Sequence, residues 1–266
     1  MIALTHAYGL SREPFAQDIP LQHLYPLPGL DAFRQRFDYA VAHSLTTVIT
    51  GEVGSGKSTS LRAAAAALHP AQYRLVSLVA TTGSLLELLR QICLQLGDPP
   101  SSNSMAKMLA LIRGLLTDIA SKKQIPVLIV DEAHLLRLDV FAQLHTLTQL
   151  DYDARTLMPI ILSGQSSLID KLLFHTSRPF ASRVVGRSHM EALQRDHMAA
   201  YLSHHLSIVG GKDLFADDAV TAIHQSSGGL LRRAGNLARG ALLAAANEKC
   251  PTVTAEHVRL AVTEIL

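Results

Sequence analysis

Tryptophan is absent from this 266-residue sequence, and aromatic residues of all kinds make up only 5%. Stacking of exposed bases on aromatic platforms is therefore not the expected mode of any polynucleotide contact. Cysteine is almost as scarce. Cys93 and Cys250 lie far apart, each in a stretch with a helical pattern. Two separated thiols give neither a disulfide framework nor the spacing of a zinc site, which suits a reducing compartment and a cytoplasmic location. Long apolar runs are missing too. Val127-Leu-Ile-Val130 is typical of those present, far short of the roughly 20 residues that span a bilayer. The amino terminus, Met1-Ile-Ala-Leu-Thr-His-Ala-Tyr8, has no basic region followed by an apolar one, so no signal peptide is expected. Nor does one sign of charge dominate: Lys and Arg total 24, Asp and Glu 22, leaving +2 with 13 neutral histidines. That balance permits nucleic-acid binding without requiring it.

What is present is a globular composition, 48% hydrophobic, long enough for one large domain or a medium one with a small companion. Residues 1–30 read as an irregular, proline-containing segment. Over 31–192, strands at Leu45–Thr50, Tyr73–Ala80, Ile125–Val130 and Leu157–Leu162 alternate with helices at 31–43, 58–68, 85–96, 105–120 and about 139–150. That alternation predicts a doubly wound parallel sheet with its ligand at the carboxyl ends of the strands. From 193 to 266 only helical patterns follow, at 195–209, 216–226, 230–248 and 254–265, punctuated by Gly210-Gly211 and Gly228-Gly229. This last part is expected to be a small helical domain.

Residues 51–58 read Gly-Glu-Val-Gly-Ser-Gly-Lys-Ser, between an apolar β-branched segment and a strong helix former. Strand, glycine loop and helix together give the pattern its meaning, a phosphate-binding loop. Glycine lets backbone N–H groups turn inward around phosphate oxygens, and the helix N-terminus adds partial positive charge. The expected nucleotide contacts are Gly51, Glu52, Val53, Gly54, Ser55, Gly56, Lys57, Ser58 and Thr59. Lys57 would reach the β- and γ-phosphates, and the Ser58 hydroxyl would take one Mg²⁺ position. A second motif, Val127-Leu-Ile-Val-Asp-Glu-Ala-His134, sends two carboxylates out of a strand buried on both faces. Asp131 would hold Mg²⁺, directly or through water, and Glu132 would polarise the attacking water. The letters Asp-Glu-Ala-His also match a helicase class, but no other helicase motif is visible, so His134 is expected to begin the next helix.

Taken together, the chain resembles the AAA+ ATPases, and more narrowly their ExeA-type branch. That branch is similar to the ATPase subunits of transposition systems of the TniB, TnsC, MuB and IstB types. The resemblance runs through Tyr8-Gly-Leu10 with Pro14-Phe15, Leu24-Tyr25, Thr50–Lys57, Val130–His134, Leu162-Ser-Gly-Gln165 and Gly228-Gly-Leu-Leu-Arg-Arg-Ala-Gly-Asn-Leu237. It implies a P-loop AAA+ core carrying a small all-helical lid domain, ATP and Mg²⁺ as cofactors, and a ring or helical filament of identical subunits. It also implies a polar sensor at Gln165 or, failing that, Ser163. An arginine finger reaching a neighbouring subunit's nucleotide falls on Arg183, with Arg178 and Arg187 as alternatives. In the lid, Gly229-Leu-Leu-Arg232 stands where the family often has Gly-x-Pro-Arg. Arg232 would touch the phosphates, although Leu231 replaces the proline and Arg233 follows at once. Pro14, Phe15, Leu24 and Tyr25 either wall the adenine site or merely cover the core.

For DNA, the family's inner-surface loops correspond to Ser101, Asn103, Ser104 and Lys107, with Lys122 and Lys123 as a second patch; a solvated loop is the alternative. His197, Tyr201, His204 and His205 are expected on one half-buried helix rather than in a metal site. Functionally, the resemblance implies a regulator of DNA transposition. It would assemble on double-stranded DNA with ATP, mark a target, engage a transposase and disassemble on hydrolysis. The alternative is an ExeA-type secretion ATPase at the cell envelope. Longer members continue into a membrane helix and a peptidoglycan-binding module, and a chain that ends at Leu266 is expected to lack both, which favours the transposition reading. A P-loop small-molecule kinase fits less well with a lid and a finger arginine.

Overall fold

The computed structural model describes residues 4–147, 149–150 and 155–264. In chain order the elements are α1 (Leu4–Tyr8), α2 (Leu30–Ala42), β1 (Thr46–Gly51), α3 (Lys57–Ala66), β2 (Tyr73–Val79), α4 (Leu85–Leu96), α5 (Met105–Ser121), β3 (Ile125–Asp131) and α6 (Leu138–Leu144). A short antiparallel pair, β4 (Gln149–Leu150) and β5 (Arg155–Thr156), precedes β6 (Ile160–Gly164), α7 (Ser167–Leu173), α8 (Arg178–Ala181) and β7 (Val184–Met190). The chain then continues with α9 (Arg195–Ser207), α10 (Asp217–Ser227), α11 (Leu231–Asn247) and α12 (Ala255–Glu264). These fall into two compact units. One is Gly29–Gly51 with Lys57–Met190; the other is Met1–Pro28 with Glu52–Gly56 and Glu191–Leu266.

The first unit is built on a five-stranded parallel sheet of order β2-β3-β6-β1-β7. Its three middle strands are buried on both faces, and every residue of β1 and β6 is buried, Thr46, Thr47, Thr50 and Ser163 included. The outer strands alternate instead, β2 burying Val76 and Leu78 and β7 burying Ser188 and Met190. That is the expected contrast between strands covered on two sides and strands at an edge. Helix α4 ends where Gly97 turns left-handed at φ 93°, so its N–H can close back on the last turn. On α2, Phe33, Phe37, Ala40 and Val41 are buried at helical spacing, whereas Tyr39 is 56% exposed.

Four differences from the sequence-based expectation stand out. The strand expected at Leu157–Leu162 begins only at Ile160, after Pro159, whose missing N–H cannot join a ladder. The helix expected to reach Leu150 ends at Leu144, and Leu150 pairs in the β4–β5 ribbon. Strand β7 was not expected; Val184-Val-Gly-Arg-Ser-His-Met190 carries too little apolar sequence to declare itself. Cys250 lies beyond the end of α11 rather than within a helix.

The second unit is helical. Along α11, Ala234, Ala238, Ala241 and Ala245 are all buried, a small-residue stripe that lets α10 and α12 approach closely. Helix α1 also packs on α11, and the Tyr8 hydroxyl donates to the Leu242 carbonyl at 3.0 Å. The chain after α1 is tied in as well: Ser11 Oγ donates to the Val209 carbonyl at 3.1 Å, and Arg239 donates to the Phe15 carbonyl at 2.8 Å.

Candidate active site

The parallel sheet places the carboxyl ends of β1, β3 and β6 side by side, and each end delivers chemistry. β1 ends at Gly51, with Thr50 paired to Gly164 of β6. β3 lies on the other side of β6, with Val130 paired to Leu162, and ends at Asp131. From the start of α3, the Ser58 hydroxyl donates to Oδ2 of Asp131 at 2.9 Å. Thus residues 73 positions apart in sequence put two hard oxygens together, a donor set that suits Mg²⁺. Asp131 is held in turn by its other oxygen, which accepts the Glu132 N–H at 2.8 Å. Lys57 is buried at 6% exposure, and its Nζ donates to the Gly51 carbonyl at 2.8 Å. A buried ammonium must be paired in this way, and here the partner is the strand end that opens the loop.

Glu132 leaves β3 in the left-handed region, at φ 52° and ψ 31°. For a residue with a Cβ this costs on the order of 1–3 kcal/mol, a strain that tends to persist where function requires it. Its carboxylate oxygen Oε2 lies 3.3 Å from Nδ1 of His134, on a short 3₁₀ turn at Ala133–Leu135. Gln165 follows β6 and donates its backbone N–H to the same nitrogen at 3.4 Å. Ser163 is fully buried in β6, paired with Ile49, and its hydroxyl has no hydrogen-bond partner among the described residues.

The middle of the phosphate loop belongs to the helical unit. Gly54 (φ 83°) and Gly56 (φ 96°) hold left-handed conformations. The Arg232 N–H, in the first turn of α11, donates to the Gly54 carbonyl at 3.3 Å. A Cβ at Gly54 would stand 2.9 Å from Cβ of Arg232, and one at Gly56 would stand 2.6 Å from Leu27 Cδ1 and 2.9 Å from Leu231 Cδ1. A Cβ at either place would force a neighbour to move, and both left-handed conformations favour glycine. Leu231, where the resemblance led one to expect proline, is therefore a packing residue against the loop. Ser55 is buried, and its hydroxyl has no partner among the described residues. A ligand with acceptor oxygens, as a phosphate has, would satisfy it. Glu52 and Val53 are exposed, Ser58 is exposed, and Thr59 is half-buried on α3.

The three finger candidates occupy different settings. Arg178 opens α8 and is exposed; Arg183 follows α8, half-buried, with its guanidinium donating to the Pro179 carbonyl; Arg187 lies on β7, exposed and paired with Val48. Arg232 and Arg233 are both exposed. Of the DNA candidates, Ser101 is exposed, Asn103 accepts from Arg90 at 2.7 Å, Ser104 precedes α5 and Lys107 is exposed in its first turn. Lys122 and Lys123 close α5. Phe15 packs with Tyr201, His205 and Phe215, and Tyr25 with Tyr201 and His204. Burial pushes the His205 pKa down to about 4, helped by the charges of His204 and Arg12.

Two features escaped the sequence. Lys171 Nζ donates to the carbonyls of His134 and Leu136, the latter at 2.7 Å, pinning the turn that follows Glu132. In the helical unit, Glu248, Cys250 and His257 cluster closely enough to hold a cation. Their hydrogen bonds describe a helix cap instead. The Thr254 N–H donates to Nδ1 of His257 at 3.0 Å, which leaves the ring proton on Nε2, 3.1 Å from the Glu248 carboxylate. The neutral ring then has no second lone pair for a metal.

Residues 42–172 match the sequence model of the AAA domain family. Over 98% of its length the chain is 29% identical to general secretion pathway protein A of Aeromonas hydrophila, and it spans about half, 48%, of that protein. Among solved structures it is similar to Cdc6p of Pyrobaculum aerophilum, with a TM-score of 0.73 at 17% identity over 95% of this chain and 70% of that one. It is also similar to the ORC1 protein of Aeropyrum pernix in complex with DNA, with a TM-score of 0.69 at 17% identity over 94% of this chain and 68% of that one. The fold is that of an AAA+ P-loop ATPase. The matched region contains both the Gly51–Ser58 loop and the strand that ends at Asp131. No helix among the described residues is long and apolar enough to cross a membrane.

Proposed function

We propose that this chain is an ATP-driven switch of the general secretion pathway protein A kind, acting through assembly of identical subunits. The similarity to that protein across 98% of the chain carries the reading, because it extends over both units. It supports the secretion reading over the expected transposition reading. Lys57, Ser55 and the loop amides would bind the nucleotide phosphates, and Ser58 with Asp131 would hold Mg²⁺. Bound Mg²⁺ and ATP supply the electrophilic γ-phosphoryl group. Glu132 orients and deprotonates the attacking water, and Ser163 or Gln165 steadies that water from β6. Arg232 senses the phosphates from α11, and Arg183 completes a neighbour's site. Phosphate release with Mg²⁺ and ATP, lost in Lys57→Ala and in Glu132→Gln, is the direct test. Arg183→Ala is expected to lower the rate only at concentrations where subunits meet. An equal loss in the dilute monomer would remove Arg183 from the finger role.

A second reading is a DNA-assembled ATPase that regulates transposition; the likeness to ORC1 described in complex with DNA supports its DNA contact alone. Its contacts would fall on Ser101, Asn103, Ser104 and Lys107 and would be salt-sensitive. Sedimentation with a non-hydrolysable ATP analogue separates the two readings. Assembly that requires duplex DNA, and then recruits a transposase, supports the second. Assembly without DNA and with no shift of duplex supports the first.

A further inference from the structure

The ends of β3 and β6 meet at one histidine. Nδ1 of His134 lies 3.3 Å from Oε2 of Glu132, and only 11% of the His134 side chain is exposed. The same nitrogen lies 3.4 Å from the backbone nitrogen of Gln165. Little room surrounds it. A Cβ at Gly164 would come within 3.0 Å of the His134 backbone nitrogen and 3.3 Å of Nδ1, so glycine at the end of β6 is what admits the ring. The turn carrying the ring is fixed from behind by Lys171, whose ammonium takes the carbonyls of His134 and Leu136.

This arrangement contains a conflict. An imidazole nitrogen carries either a lone pair or a proton in the ring plane. The Gln165 N–H can only donate and the ionised Glu132 carboxylate can only accept, so Nδ1 cannot satisfy both together. We propose that His134 is a positioning residue for Glu132. With the proton on Nδ1, the ring donates to Oε2 and holds the carboxylate. With the proton on Nε2, Nδ1 accepts from Gln165 and releases the carboxylate toward water. The two arrangements differ in which ring nitrogen carries the proton that faces these partners. Any shift of the strand end at Gly164-Gln165 changes which partner Nδ1 serves, and thereby the freedom of Glu132. The inference rests on the reading of Glu132 as the residue that activates water.

Three substitutions and one spectrum test it. His134→Ala and His134→Phe are expected to lower kcat by up to about 10²-fold, the scale on which misplacement of a catalytic group is felt. KM and nucleotide affinity should stay within about twofold, since His134 is far in role from the phosphate contacts. His134→Asn places an amide where Nδ1 stood and should recover most of the lost rate. A ring needed only for its volume would give the opposite order, with Phe rescuing and Asn failing. In full-length protein labelled with ¹⁵N-histidine, the His134 ring nitrogens should change tautomer balance between wild type and Glu132→Ala. Wild-type kcat in His134→Phe, an Asn variant no better than Ala, or an unchanged ring spectrum each overturns the role of His134 while leaving the ATPase reading intact. Absence of ATP hydrolysis by the wild-type chain would overturn both.

Discussion

Lys57 and Ser58 are held by polar bonds to the sheet's own strand ends, whereas Gly54 and Gly56 are held by contact with Leu27, Leu231 and Arg232 of the helical unit. One loop is therefore shaped by two kinds of physics. On the sheet side, charge and hard oxygen are arranged where phosphate charge must be met, and the interactions are few, directional and individually strong. On the helical side, one backbone hydrogen bond from Arg232 to the Gly54 carbonyl accompanies close approach, and the missing Cβ atoms are what matter most. Damage to the first side should remove chemistry and spare the fold. Damage to the second should disturb the fold of the helical unit while every catalytic group is still present.

The largest expected effect breaks the polar side. Lys57→Ala should reduce phosphate release about 10³-fold, the scale at which removal of one charge-stabilising donor is felt, and should weaken ATP analogue binding measured by calorimetry. Next, Glu132→Gln should lower kcat by about 10²-fold or more while analogue affinity stays close to wild type, because the amide keeps shape but cannot take a proton. A Glu132→Gln enzyme that turned over at the normal rate would remove the carboxylate from the mechanism.

This asymmetry also explains what could be read without coordinates. The settings of Gly51–Ser58 and Asp131–Glu132 were legible because they are local: a glycine loop between strand and helix, and carboxylates at the end of an apolar strand. The sheet's middle strands were legible for the same reason, each being a short apolar or β-branched run. β7 was not, since an edge strand buries only alternate residues and Val184–Met190 includes Gly186, Arg187 and His189. Nor could the sequence place His134 between Glu132 and Gln165, which depends on β3 and β6 being neighbours in the sheet. The contacts of Gly56 with Leu27 and Leu231 were equally hidden, because they join three segments that share no pattern. Polar chemistry advertises itself in residue type, and packing complementarity does not.

On the helical side, acid should act selectively through His205. The ring stacks on Phe15 at 5.3 Å, is 4% exposed, and its Nδ1 has no hydrogen-bond partner among the described residues. Burial and the charges of His204 and Arg12 lower its pKa from 6.5 to about 4. The unfolded chain therefore takes up a proton before the folded one does. This contribution to stability is complete above pH 6.5 and is lost as pH falls toward 4, amounting to about 3 kcal/mol across the window. Denaturant titrations at pH 7 and pH 4.5 should show the loss, and His205→Phe should flatten it. A slope unchanged by that substitution would assign the acid sensitivity elsewhere.

The smallest expected quantity, a difference between two glycine variants, is the sharpest test of the division. Gly56→Ala leaves Lys57, Ser58, Asp131 and Glu132 untouched, yet it puts a methyl group 2.6 Å from Leu27 Cδ1 and 2.9 Å from Leu231 Cδ1 at a φ of 96°. Gly210→Ala, at φ 78° with nothing within 4 Å, carries the backbone penalty alone. That penalty is about 1–2 kcal/mol, and overpacking should add about another 1–2 kcal/mol at Gly56. The difference between the two variants in thermal unfolding isolates the packing term. Truncation of Leu231 to Ala in the Gly56→Ala background should then return part of the loss, because the methyl group and the leucine compete for the same space. If the two glycine variants unfold alike and Leu231→Ala returns nothing, the helical unit does not shape this loop. Its conformation would then be set from the Lys57–Gly51 side alone.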